Sequence, residues 1–98
     1  MSNGLKPLTS AQIRAARALL RWRAEDLARE SSVGIATIRR AELAEVVPSL
    51  TAANDLALRR ALEAADVEFI DANGGGPGVR LKKSQKKANV SAARRLRP

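Results

Sequence analysis

Between residues 10 and 65 the apolar side chains recur every three or four positions, and after residue 66 the period changes. Thr9-Ser-Ala-Gln12 is a capping box: a Thr hydroxyl and a Gln amide three positions on satisfy each other's backbone N–H groups. It predicts a first helix over residues 10–21. Ile13, Ala16, Leu19 and Leu20 form its inward stripe, and Arg14, Arg17 and Arg21 take the other faces as a solvated surface. Trp22-Arg23 is a short connection. A second helix follows over residues 24–31, with Glu25 and Asp26 in its first turn, where acidic groups complement the helix dipole. Their adjacency sets the two carboxylates about 100° apart, so they do not form a catalytic pair. Ser31-Ser-Val-Gly34 is a turn, and Gly34 caps a third helix over residues 35–44.

That third helix has an unusual inward set. With Ile38 pointing into the core, Ala41 and Glu42 fall near the same side, and a buried Glu42 requires a cation partner. Ala36, Thr37, Arg39, Arg40 and Leu43 project outward, with Ile35 on the border. Pro48 stops the following loop, and Thr51 caps a fourth helix over residues 52–65, whose stripe is Leu58, Ala61, Leu62 and Ala65. Val67-Glu-Phe-Ile70 reads as a short strand, Asp71 to Gly78 as turn material, and Val79-Arg-Leu81 as a returning strand. The glycines at 74–76 precede no Lys-Ser/Thr and open no helix, so a hairpin turn accounts for them better than a phosphate loop does. A lone hairpin is marginal and must lie on the helices or pair with another chain. The expected organisation is a flexible lead-in (1–8), a helical domain (9–66), a hairpin able to serve in dimerisation (67–81) and a basic, disordered tail (82–98).

Composition sharpens this outline. Of 98 residues, 18 are Lys or Arg and 10 are Asp or Glu, a formal charge of +8. The excess is local. Arg80, Lys82, Lys83, Lys86, Lys87, Arg94, Arg95 and Arg97 supply all of it, and the chain before Arg80 is balanced. Such a segment suits a polyanion, because each neutralised phosphate releases counterions. There is no Cys and no His, which removes disulfides, thiolate or imidazole metal sites and the usual general base near neutral pH. With one Trp, one Phe and no Tyr, no aromatic platform for unpaired bases can be built. No cofactor or metal is expected, and no nucleophile and base can be assembled, so an enzyme is not expected. No apolar run is long enough to span a membrane, and the N-terminus lacks a signal-peptide core. The expected location is the cytoplasm or nucleoid.

Two short helices joined by a tight turn, with supporting helices on either side, is the helix-turn-helix layout. Trp22-Arg-Ala-Glu-Asp-Leu-Ala28 followed by Val33-Gly-Ile-Ala-Thr-Ile-Arg-Arg-Ala-Glu42 resembles the Cro/repressor class of transcriptional regulators, the xenobiotic-response-element family. The block from Arg59 to Ile70, with the Gly-rich turn and Gly78-Val-Arg-Leu81, resembles a bacterial subgroup of that class. The resemblance spans about residues 9–81. It implies a mainly α, lambda-repressor-like four-helix bundle with a short C-terminal hairpin and a basic tail.

It also implies sequence-specific binding of double-stranded DNA, with the third helix in the major groove. Carried over by position, Ile35, Ala36 and Arg40 face bases. Thr37, Arg39 and Arg23 lie near phosphates, joined by the tail cations Lys82, Lys83, Lys86, Lys87, Arg94 and Arg95. The family's structural ion pair falls on Arg17 and Glu42. A homodimer reading two half-sites is the expected assembly, through the strand edges or the fourth helix. Departures are plain: Ala24 stands for the family's Gln, Ser32 for its turn Gly, Gly34 for its Ser cap, and Ile35 for a polar residue. Arg40 alone remains as a strong donor to guanine. The apolar Ile35-Ala36 pair and the balanced body fit an alternative, a protein-interaction module of anti-activator or antitoxin type that binds another regulator.

Overall fold

The computed structural model describes residues 6–82, which form four helices followed by a two-stranded antiparallel sheet: α1 (Ser10–Leu20), α2 (Ala24–Ser31), α3 (Ile35–Leu43), α4 (Ala52–Ala64), β1 (Val67–Ile70) and β2 (Gly78–Leu81). Each start has a local cause. Thr9 Oγ1 accepts from the Gln12 N–H at 3.0 Å and Gln12 Oε1 accepts from the Thr9 N–H at 3.0 Å, the reciprocal bonds of a capping box. Thr51 Oγ1 likewise accepts from the Asn54 N–H at 3.0 Å. At α2, Asp26 reaches back to accept from the Arg23 N–H at 2.8 Å.

Each stop has a cause too. Arg21 and Ser32 both turn left-handed, at φ 59° and 64°, so α1 ends at Leu20, one residue before the sequence placed it, and α2 ends at Ser31. Ser32 holds this conformation without the freedom of a glycine. Ala44 is already extended, which ends α3 at Leu43, and α4 ends at Ala64 ahead of a left-handed Asp66 at φ 74°. The returning strand begins at Gly78, one residue earlier than expected.

The result is a compact, mainly helical domain around one core. Leu8, Ile13, Leu27, Ile38, Leu58, Leu62 and Val67 are completely buried, and each contributes about 1.5–3 kcal/mol by leaving water. Two expectations are corrected here. Leu19 is 40% exposed rather than inward, because six helical steps from Ile13 carry it roughly 240° around the axis; Leu20, close to the Ile13 side, packs against the core instead. Residues 6–8 are not a loose lead-in. Leu8 is a core residue whose N–H donates to Asp55 Oδ1 at 3.1 Å, and the Lys6 carbonyl accepts from Arg59 Nη2 at 2.7 Å. The rest of the lead-in, 1–5, and the tail beyond Lys82 lie outside the described residues.

The hairpin pairs Val67 with Leu81, Glu68 with Arg80, Phe69 with Val79 and Ile70 with Gly78. Val67 is buried, while Phe69, Val79 and Leu81 pack against the core. The alternate positions carry the Glu68–Arg80 pair, joined by two bonds of 3.1 Å. Gln12 Nε2 donates to the carbonyls of Gly78 at 3.0 Å and Ile70 at 3.4 Å, which fastens the turn end of the hairpin to α1. No helix among the described residues is long and apolar enough to cross a membrane.

Candidate nucleic-acid interface

α3 is held by one face and open on the other. On the held face, Ile38, Ala41 and Glu42 are buried. The Glu42 carboxylate receives Arg17 Nε at 2.7 Å and Arg17 Nη2 at 2.8 Å, a two-bonded fork, and Arg17 Nη1 donates to the Trp22 carbonyl at 2.8 Å. The cation that the periodicity of α3 requires is therefore Arg17, five residues before the connection whose carbonyl it also holds. Hydrogen bonding to Glu42 raises the Arg17 pKa above its ordinary value, against the opposing effect of burial. Arg14 Nη1 donates to the Glu42 carbonyl and ties the last turn of α3 to α1 a second time. The Ser10 N–H donates to the Val46 carbonyl at 2.9 Å, which moors the loop after α3 to the start of α1.

The open face carries Ala36, Arg39 and Arg40, all exposed, with Thr37 half-buried between them. Ile35 is also half-buried and packs against the core, so only part of its side chain is offered to solvent. Arg39 Nη2 meets Glu25 Oε2 at 3.0 Å, with both side chains more than half exposed. Such a pair contributes about 0–1 kcal/mol and exchanges readily for another anion. The only bond from Arg40 among the described residues is a long one, Nη2 to Thr37 Oγ1 at 3.5 Å, at the edge of what counts as a hydrogen bond. Thr37, Arg40, Ala41, Ala44 and Ser49 surround a shallow cleft of about 210 Å³. Arg40 thus borders a hollow with its five N–H donors almost unused.

The remaining positions are spread out. Arg23 is exposed at the start of α2, where its N–H is taken by Asp26. Asp26 also accepts from Arg29 at 2.9 Å, and the Arg23 backbone bond is the larger reason that its pKa lies below the ordinary carboxylate value. Lys82 is exposed at the end of β2, its N–H bonded to the Asp66 carbonyl at 2.9 Å. Lys83, Lys86, Lys87, Arg94 and Arg95 lie outside the described residues.

Three features go beyond the expectations from sequence. Ser49 joins the cleft beside Arg40 from the far side of the loop. Three exposed apolar side chains, Leu43 (83% exposed), Val46 (65%) and Val47 (53%), lie at the end of α3 and in the loop after it. Arg59, inside the apolar half of α4, is only 5% exposed. Ser49 and the two valines depend on how the loop closes, which no periodicity encodes; Leu43 projects outward as its helical position predicts, and Arg59 had a signal, an Arg directly beside Leu58 on the inward stripe. The chain matches no protein-family model and no curated protein.

Proposed function

We propose that the protein is a helix-turn-helix regulator that binds double-stranded DNA by setting the open face of α3 in the major groove. The observation that carries this reading is the division of α3 itself. One face is fixed at Glu42 by a buried fork, and the opposite face presents Ala36, Thr37, Arg39 and Arg40 on a rigid rod. Nine residues of helix are about 13 Å long, a length that lies comfortably along a groove about 12 Å wide. The order α1 to α4, the short α2–α3 turn at Ser32 and the resemblance to Cro/repressor-class proteins all support the same bundle and mode.

In this reading Arg40 donates to guanine O6 and N7. Ala36 and the exposed part of Ile35 meet thymine methyl groups. Arg39 leaves Glu25 for a phosphate, and Thr37 and Arg23 hold neighbouring phosphates. Arg17 and Glu42 read nothing; they set the angle of the rod. The cationic tail contributes affinity that depends on salt and not on sequence. A homodimer supplies the second half-site. Selection of duplexes from a random-sequence library by the full chain tests the proposal. One enriched motif is expected, and the Arg40→Ala protein should lose preference at a single position of it. Recovery of no motif by the unaltered chain would remove the regulator reading.

A second reading has its own observation. Leu43, Val46 and Val47, within five positions of one another at the end of α3 and in the loop after it, each leave more than half of their surface exposed. This favours a protein partner on the loop beside α3, either with DNA or in place of it.

A further inference from the structure

The least expected side chain of the domain is Arg59. Its guanidinium is buried, yet its partners only partly compensate the charge. Nη2 donates to the Lys6 carbonyl at 2.7 Å, the plane lies over the Phe69 ring at 5.3 Å, and Glu63 stands 3.9 Å from Nη1 with its own side chain 44% exposed. Nε is buried without a partner among the described residues. An arginine has five N–H donors, and a buried cation with most of them idle is costly unless an anion completes the set.

Arg59 also lies between two adjoining cavities. The smaller, about 240 Å³, is formed by Lys6, Pro7, Thr9, Gln12, Val47, Asp71, Ala72 and Pro77 with Arg59. The larger, about 410 Å³, shares Pro7, Val47 and Arg59 and continues along Pro48, Leu50 and Leu56. Ligand sites are mostly apolar clefts of this order of size with a few polar groups that fix orientation. In the smaller cavity Lys6 and Arg59 outnumber Asp71. In the larger, Asp55 is already engaged by the Leu8 N–H.

We propose that this cleft binds a small organic carboxylate. The carboxylate lies between Lys6 and Arg59, and the apolar body lies along Pro7, Val47, Ala72 and Pro77. Val47 belongs to the loop that leaves α3, and the neighbouring Val46 carbonyl is bonded to the Ser10 N–H. Occupancy therefore bears on the segment that sets the end of α3, so the ligand is an effector; that part of the inference rests on the DNA-binding reading above.

The test is a titration of the full, isotope-labelled chain, without DNA, with benzoate and with hexanoate, each beside its neutral amide. Saturable NMR shifts are expected at Lys6, Val47, Ala72 and the Arg59 Nε–H, with affinity at least tenfold lower for benzamide and hexanamide. Arg59→Gln should abolish the response. Lys6→Gln, at an exposed position that leaves the fold intact, should weaken it several-fold, so a failure of the Arg59 variant to fold leaves the test standing. Equal response to acid and amide, no saturable shift, or binding that appears only when residues 1–5 are deleted would each overturn the site. The last outcome would mean that the chain's own N-terminus fills the cleft. Because the titration contains no DNA, its failure leaves the proposed regulator untouched, and an effect of benzoate on duplex affinity is measured separately.

Discussion

Arg17 and Arg40 are the same residue type set against opposite sides of one nine-residue helix, and they behave in opposite ways. Arg17 reaches α3 from α1, is mostly buried, and spends three of its donors on Glu42 and Trp22 at 2.7–2.8 Å. Arg40 grows from α3 itself, and among the described residues its guanidinium has one hydrogen bond, to Thr37 at 3.5 Å. Burial explains the difference. A guanidinium taken out of water needs fixed partners, and in return it fixes them, whereas one left in water keeps its donors exchangeable. The inner side of α3 is thus pinned to α1, and the outer side keeps its cations in exposed, exchangeable contacts.

The contrast predicts that damage on the two sides will differ in kind. The largest effect belongs to the inner pair. Glu42→Ala leaves Arg17 in a mostly buried place without its fork and should destabilise the fold by about 3 kcal/mol or more, read as a lower midpoint of urea unfolding. A change of only a few tenths would show that the pair is not what fixes α3. Next, Arg40→Ala should leave the unfolding midpoint in place while costing about 1–3 kcal/mol of affinity for the selected duplex and much less for random duplex. Equal losses on both duplexes would reassign Arg40 to a phosphate.

Deleting residues 83–98 sharpens the comparison from a third side. It should weaken binding to all duplexes alike and reduce the slope of log affinity against log salt by about 0.9 for each phosphate that the tail no longer neutralises. A smaller effect sits at the α2–α3 turn. Ser32→Gly relieves a left-handed Ser at φ 64° and should stabilise the domain by about 0.5–1 kcal/mol. An unchanged or lower melting temperature would contradict the strain argued there.

The smallest effect concerns the hairpin. The Arg80 guanidinium, through its hydrogen bonds and then its charge, holds the Glu68 carboxyl below its ordinary 4.5. A depressed folded-state value means that the pair favours folding above the ordinary value and is lost as pH falls through the lowered one. The Glu68 side-chain carbon signal should therefore titrate below 4.5 and move back up in Arg80→Gln.

Much of the helical frame was legible because its signals are local. The Thr9–Gln12 and Thr51 caps, Pro48 and the Val67–Ile70 change of period mark element ends to within about one residue. The inward set Ile38, Ala41 and Glu42 follows from helical spacing alone, and a buried carboxylate demands a cation whatever the fold. The identity of that cation came only from family resemblance, since Arg14, Arg17 and Arg21 share one helix and nothing local separates them. What stayed illegible depends on distant closure. Leu8 enters the core because Asp55, 47 positions on, holds its N–H. Gln12 could be read as a cap, but its second task, 58 and 66 positions away on the hairpin carbonyls, could not. At the site, the exposed Arg39 and Arg40 follow from periodicity, and the buried Arg59 has its hint in Leu58 beside it; the cleft with Ser49 follows from a loop path that no residue spacing describes.

The most direct test of the central claim is where DNA touches the protein. On adding the selected duplex to the isotope-labelled chain, the largest NMR shifts among residues 6–82 should fall on Ala36, Thr37, Arg39 and Arg40, with Ile38 and Ala41 much less affected. Shifts centred instead on Leu43, Val46 and Val47, on the hairpin, or nowhere on α3, would contradict the account.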